Sequence, residues 1–278
     1  MFIVALVFTM MAMAQKTCYQ QADVELISAL LNDKRCESPL DFARKLIGRP
    51  YIAHTLEVHD NEQLVINTRQ LDCTTLVETV TALTLCRRTG KSRFEDYEQM
   101  LTRLRYRGGR LTDYTSRLHY FSDWIDDNHS MGFVTEIQEP ASVFSQEQRL
   151  VIDYMRQHPQ QYKALKAHPE MIGQIASQEK ALTGRSYRFI PKADVDKRAA
   201  ALRKVIKDGD IIAITTSKKG LDIAHLGFAV WRADGLHLLN ASQLHKKVVI
   251  EPMTLGQYLS KHPSHTGIRI IRINDTVN

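Results

Sequence analysis

Leu71-Asp72-Cys73-Thr74-Thr75-Leu76-Val77-Glu78 sets a cysteine directly behind an acidic residue, at the point where an apolar helical pattern begins. Leu76, Val77, Val80 and Leu83 follow at helical spacing and predict one buried stripe. Asp72 suits the cap of such a helix, which puts Cys73 in its first turn. Unpaired backbone N–H groups and the positive end of the helix dipole act there, and both favour thiolate over thiol. Thiolate is the nucleophile, so Cys73 is a candidate catalyst. A small buried cysteine is the alternative that position alone leaves open.

A cysteine nucleophile needs a general base and a group that orients the base. Eleven histidines are available, most of them in turn-like or polar surroundings. His225 differs: it interrupts Ile223-Ala224-His225-Leu226-Gly227-Phe228-Ala229-Val230-Trp231, an otherwise apolar strand. Ala224, Leu226, Phe228 and Val230 make one face, and Gly227 and Ala229 leave room beside the imidazole on the other. Asp234-Gly235 predicts a tight turn into Leu236-His237-Leu238-Leu239-Asn240-Ala241-Ser242. Hairpin pairing brings Leu238, Asn240 and Ser242 to the face of His225. Asn240 is the first choice to orient the ring, because an amide oxygen accepts its N–H and holds one tautomer. Ser242 is the second.

The elements that must position these groups fall into two unequal parts. Residues 15–205 read as mostly helical, with helices expected at 21–32, 38–47, 72–89, 92–104, 115–127, 145–157 and 193–206. Ser38-Pro39 opens the second as cap and first-turn proline. From Asp208 the pattern turns to strands at 210–216, 223–232, 236–242, 246–251 and 267–273. Helices followed by an antiparallel sheet or barrel predict an α+β fold in one domain over 15–278, with an insertion over about 91–185.

The chain has 278 residues, 44% hydrophobic and 24% charged, the balance of a globular protein. Its net charge of +6 is scattered, without the basic block or stripe that a nucleic-acid partner would call for. Residues 1–14 carry no charge and end in Ala12-Met13-Ala14, which reads as a secretory signal cleaved before Gln15, too short to span a bilayer. The expected location is therefore secreted or periplasmic, with no stable membrane insertion. The four cysteines, Cys18, Cys36, Cys73 and Cys86, form no C-x-x-C pair, so neither a zinc site nor a thioredoxin motif is expected. Cys18 and Cys36 could form a disulfide after export. Cys73 and Cys86 stand on one predicted helix, about 20 Å apart along its axis, too far for a bridge.

An Asp-Cys pair opening a helix, a histidine on a later strand and a polar residue on the next strand resemble the papain-like cell-wall hydrolases of the NlpC class. The resemblance is greater to their N-acetylmuramoyl-L-alanine amidase-like branch. Ile47-Gly48-Arg49-Pro50-Tyr51, Leu71–Glu78, Gly209-Asp210-Ile211-Ile212, Ala224-His225-Leu226-Gly227 and Leu239-Asn240-Ala241-Ser242 carry it. Thr74-Thr75 stands where Ser-Gly commonly follows the cysteine in the wider class. The resemblance implies a papain-like fold and a cysteine amidase acting on peptidoglycan fragments, with a preference for 1,6-anhydro-muropeptides and no metal or cofactor. It implies that Tyr51 contacts the site. Asp72 and Ser242 are placed with the substrate-facing group, and His119 and Trp124 at a sugar subsite, although helix-spaced aromatics also pack inward. An endopeptidase cutting within the stem peptide, or a wall-binding module that lost catalysis, are the competing expectations.

Overall fold

The computed structural model describes residues 17–276; the expected signal segment, 1–14, lies outside them. Ile27, Leu30 and Leu31 form the buried stripe that makes Gln21–Asn32 (α1) an amphipathic helix. Ser38 accepts from the Asp41 N–H, with Pro39 in the first turn, and so opens Pro39–Lys45 (α2). Asp72 caps Cys73–Arg88 (α3). Phe94–Arg105 (α4) and Phe121–Ser130 (α5) complete a helical layer. The expected helix at 115–127 is instead a single 3₁₀ turn at Tyr114–Ser116 followed by α5.

Between 131 and 206 the chain is less helical than its sequence predicts. It contributes the strands Val134–Ile137 (β1), Gln146–Arg149 (β2) and Ser186–Pro191 (β3). Short helices lie among them at Tyr154–Gln157 (α6), Lys163–Ala167 (α7) and Ile172–Leu182 (α8). The helix expected at 145–157 is therefore β2 and α6. That expected at 193–206 is two pieces, Lys192–Val195 (α9) and Ala199–Leu202 (α10).

The C-terminal strands are Ile211–Thr216 (β4), Ile223–Arg232 (β5), Gly235–Ser242 (β6), Lys247–Ile250 (β7) and His265–Ile273 (β8), with the helix Leu255–Ser260 (α11) before the last. All eight strands make one antiparallel sheet in the order β2-β3-β8-β4-β5-β6-β7, with β1 also on β8. The fold is α+β, and the sheet is open, so the expectation of a sheet or barrel resolves to a sheet. One sheet face, with Leu226, Phe228, Val230 and Leu239, packs on α1–α5. The other, with Ile212, Ile214, Ala229 and Leu238, packs on Val195, Leu202, Leu255 and Leu259. Residues 114–187 hold a third apolar cluster around Tyr120, Leu150, Met155 and Ile175. No helix among the described residues is long and apolar enough to cross a membrane. All four cysteines are unpaired, with Cys36 and Cys86 buried.

A buried ion pair anchors α3 one turn behind Cys73. The Arg105 Nε donates to Glu78 Oε2 at 2.7 Å and its Nη1 to the Val65 carbonyl at 2.7 Å, with both charged side chains at most 3% exposed. Arg105→Met strands the Glu78 charge and should lower stability by about 3–5 kcal/mol. A urea melt showing less than about 1 kcal/mol of loss would contradict this role.

Candidate active site

The mouth of α3 is built by its own cap. Asp72 Oδ1 accepts from the Thr75 N–H at 2.8 Å, and Thr75 Oγ1 accepts from the Asp72 N–H at 2.9 Å. This satisfies two backbone donors and leaves Cys73 at the start of the first turn. Asp72 was expected against substrate; the structure gives it to the cap, because its carboxylate turns back onto the helix end. The strand before it is clamped on both sides. Leu71 N–H donates to the Pro50 carbonyl, Ile52 N–H to the Leu71 carbonyl, and Tyr51 N–H to the Lys246 carbonyl at 2.9, 3.2 and 2.9 Å. Tyr51 is thus fixed near Cys73; burial and the Cys73 and Asp72 charges push its phenol pKa up.

The hairpin brings the second and third groups together. Ala229 pairs with Leu238 and Phe228 with Leu239, the register that puts His225 and Asn240 on one face. Gly227 lets the strands approach: a Cβ there would lie 2.6 Å from the Leu239 carbonyl oxygen and 2.7 Å from the Leu238 side chain. His225 Nε2 lies 3.0 Å from Asn240 Oδ1. Of the two residues left open by the sequence, Asn240 therefore orients the ring. Ser242 is buried, and its Oγ accepts from the His245 N–H at 3.3 Å.

Sequence reasoning missed what holds Asn240. Glu251, fully buried, accepts from Asn240 Nδ2 at 3.0 Å through Oε1, and its Oε2 lies 3.1 Å from His245 Nε2. A carboxylate only accepts, so Glu251 draws the NH₂ of the amide and turns Oδ1 to His225. His225 Nε2 must then carry its hydrogen, leaving Nδ1 as the free base. A charged residue directly after the apolar run Val248-Val249-Ile250 was the one signal; it resembles an ordinary strand end.

Cys73 and His225 line one cleft of about 230 Å³, with Thr74, Tyr120, Phe121 and Tyr162 among its walls. The Leu226 N–H, next to His225 in the chain, donates to the Cys73 sulfur. The 91–185 segment builds a wall of this cleft. His119 is on that wall, in the loop before α5 rather than on a helix, and its Nε2 bonds the Tyr114 carbonyl at 2.8 Å. Burial and the Arg117 charge push it down to about 3. Trp124 is not in the cleft. It is 1% exposed and stacks on Phe121 at 4.8 Å between ring centres, so the expectation of a sugar contact is corrected to a core role.

The charge state differs from what the helix mouth alone predicts. Burial, with the Asp72 charge adding to it, pushes the Cys73 thiol up to about 12; donors at Leu226 and Thr74 oppose this without cancelling it. Burial also holds His225 below its ordinary value of 6.5, against the Asn240 bond and the Glu251 charge. Both shifts favour the uncharged forms, thiol and neutral imidazole, over the ion pair. Alkylation of Cys73 by iodoacetamide should therefore keep rising from pH 6 to pH 9, roughly with the thiolate fraction. A plateau across that range would reveal a preformed ion pair instead.

Comparison with known proteins fits this arrangement to a family. A family model described as AmiA-like, N-acetylmuramoyl-L-alanine amidase-like, matches residues 41–268. This chain belongs to that family. A crystal structure of an N-acetylmuramoyl-L-alanine amidase from Bacteroides uniformis is 41% identical, with a TM-score of 0.80 over 85% of this chain and 99% of that one. A Bacteroides fragilis protein described as a proposed xylanase is 41% identical, with a TM-score of 0.78 over 84% and 100%. The protein LPG0564 from Legionella pneumophila shares the fold at 23% identity, with a TM-score of 0.69 over 91% and 94%. No curated protein matches the sequence. Within this amidase-like chain the family match spans both Cys73 and the β5–β6 hairpin.

Proposed function

We propose that this chain is a cysteine amidase of the papain-like NlpC class, hydrolysing the bond between N-acetylmuramic acid and L-alanine in peptidoglycan fragments. One observation carries the reading: in a chain of the amidase-like family, Cys73 shares a cleft with a histidine whose far nitrogen is held by Asn240. His225 Nδ1 takes the thiol proton as sulfur attacks the lactyl carbonyl. The Cys73 backbone N–H and the Tyr51 hydroxyl stabilise the oxyanion, each contributing about 3 kcal/mol. The imidazolium then protonates the departing amine, and water hydrolyses the thioester. The chemistry calls for no metal and no cofactor.

In this reading the substrate is a fragment, with 1,6-anhydro-muropeptides preferred, and the enzyme works after export, in the periplasm or outside the cell. A xylanase reading would need a pair of carboxylates flanking a sugar bond. Among the described residues Asp222 is the one carboxylate on the Cys73 cleft, and its Oδ2 accepts from the Ser122 N–H at 2.6 Å.

Digestion of a defined muropeptide, followed by mass analysis, tests the function. Release of an intact peptide beginning with L-alanine is expected. Shorter peptides, with L-alanine still on the sugar, would mean an endopeptidase.

A further inference from the structure

Glu179 is fully buried and stands on α8, in the segment that walls the Cys73 cleft, without lining the cleft itself. One of its oxygens gathers three donors. Oε1 accepts from the Tyr120 hydroxyl at 2.6 Å, the Met155 N–H at 2.9 Å and the Arg156 N–H at 3.2 Å. Oε2 lies 3.2 Å from Arg156 Nε, whose side chain reaches out to solvent at 45% exposure. A buried carboxylate is costly unless it is hydrogen-bonded and paired, and this one is both.

Its partners belong to the wall. Tyr120, directly before α5, and Met155, in α6, both line the cleft. They are tied to each other as well, since the Met155 N–H also donates to the Tyr120 oxygen at 3.0 Å. The single hydroxyl hydrogen of Tyr120 goes to Glu179, and burial together with that bond pushes the phenol pKa far up, so the hydrogen stays in place. The preceding residue on α8 adds a second hold: Gln178 Nε2 donates to the Thr115 carbonyl at 2.8 Å. Around these bonds lies the apolar cluster that includes Leu150, Leu165, Ile175 and Leu182. Apolar burial holds the segment on but has no direction. Hydrogen bonds have direction, so the Glu179 contacts decide where Tyr120 and Met155 stand.

We propose that Glu179 is a positioning residue for the Cys73 cleft. Through Tyr120 and Met155 it fixes the wall relative to the thiol, and so sets substrate affinity, while Cys73, His225 and Asn240 do the chemistry. The proposal rests on the amidase reading only for its choice of substrate.

Glu179→Leu should raise KM for a muropeptide about tenfold, with kcat within about threefold, because it leaves the Tyr120 hydroxyl and the Met155 N–H without their acceptor. Glu179→Gln keeps an acceptor oxygen and should hold KM within about threefold of the parent. Tyr120→Phe keeps the ring and loses the bond; its KM should rise about fivefold, and this variant carries the test should Glu179→Leu not fold. Parent-like KM in Glu179→Leu and Tyr120→Phe, or a fall in kcat with KM unchanged, would overturn the proposal. A second arm needs no substrate: Cys73 is alkylated by iodoacetamide and by a bulky N-aryl maleimide. The ratio of the bulky to the small rate should rise severalfold in Glu179→Leu and Tyr120→Phe and stay parental in Glu179→Gln. The pH dependence of the iodoacetamide rate should match the parent in all three, since the thiol and its base are untouched. An unchanged ratio overturns the positioning role, whichever bond the digest shows to be cut. A changed ratio with cleavage inside the stem peptide retains it and removes the amidase reading instead.

Discussion

Cys73→Ala should lower turnover of a muropeptide by about 10⁴-fold or more while the protein stays folded. In the proposed mechanism the substitution removes the atom that forms the acyl-enzyme, and no other cysteine lines the cleft. Cys73 itself is half-buried at the first turn of α3, at the edge of the core rather than within it. Thermal stability should therefore change by about 1 kcal/mol or less. His225→Ala should produce a loss of similar size. The double variant should be no worse than either single one, because the two groups act in one proton transfer. Activity within tenfold of the parent in Cys73→Ala would remove the thiol from the mechanism.

Glu251→Leu should lower kcat by about a hundredfold, with KM little changed, although Glu251 touches no substrate. The carboxylate sets which way Asn240 faces through the 3.0 Å bond from Nδ2. Without it only the long 3.4 Å bond from Nδ2 to the Leu238 carbonyl opposes the amide turning over to offer NH₂ to His225 Nε2. The ring would then shift its hydrogen to Nδ1 and lose the lone pair that the proposed mechanism needs as base. Glu251→Gln keeps an oxygen that can accept from Asn240, so it should retain activity within about tenfold. In an Asn240→Ala background, Glu251→Leu should cost little more. Imidazole ¹⁵N spectra add a readout that packing damage would not reproduce: an Nε2–H tautomer at His225 in the parent, and a mixture in Glu251→Leu. A parent-like tautomer and kcat in that variant would refute the positioning role.

The parts of this architecture with strong local signals were legible in the sequence. The helix at 21–32 and the strand at 223–232 match their observed bounds, and Cys73–Arg88 departs from 72–89 only at its ends. Each has a clear apolar period and a defined cap or turn. Gln146-Glu147-Gln148-Arg149 has neither: four polar residues become β2 by pairing at the sheet edge with β3, a tertiary cause that no local window contains. Trp124 carried the inverse difficulty, since an aromatic at helical spacing serves a core or a subsite equally well on paper. The thiol's charge state was only half legible: the helix dipole can be read from position, whereas the burial that opposes it depends on β5 and the 119–162 wall. Glu251 escaped notice because its partner, Asn240, lies across the β6–β7 pairing, where Asn240 stands opposite Val249.

The most direct measurement is the mass of what Cys73 carries during turnover. Enzyme mixed with a defined muropeptide is quenched in acid within the first turnovers, digested, and the Cys73 peptide weighed. A muramoyl group attached through its lactyl carbonyl is predicted. A stem-peptide acyl group on Cys73, or an adduct on another residue, would contradict it.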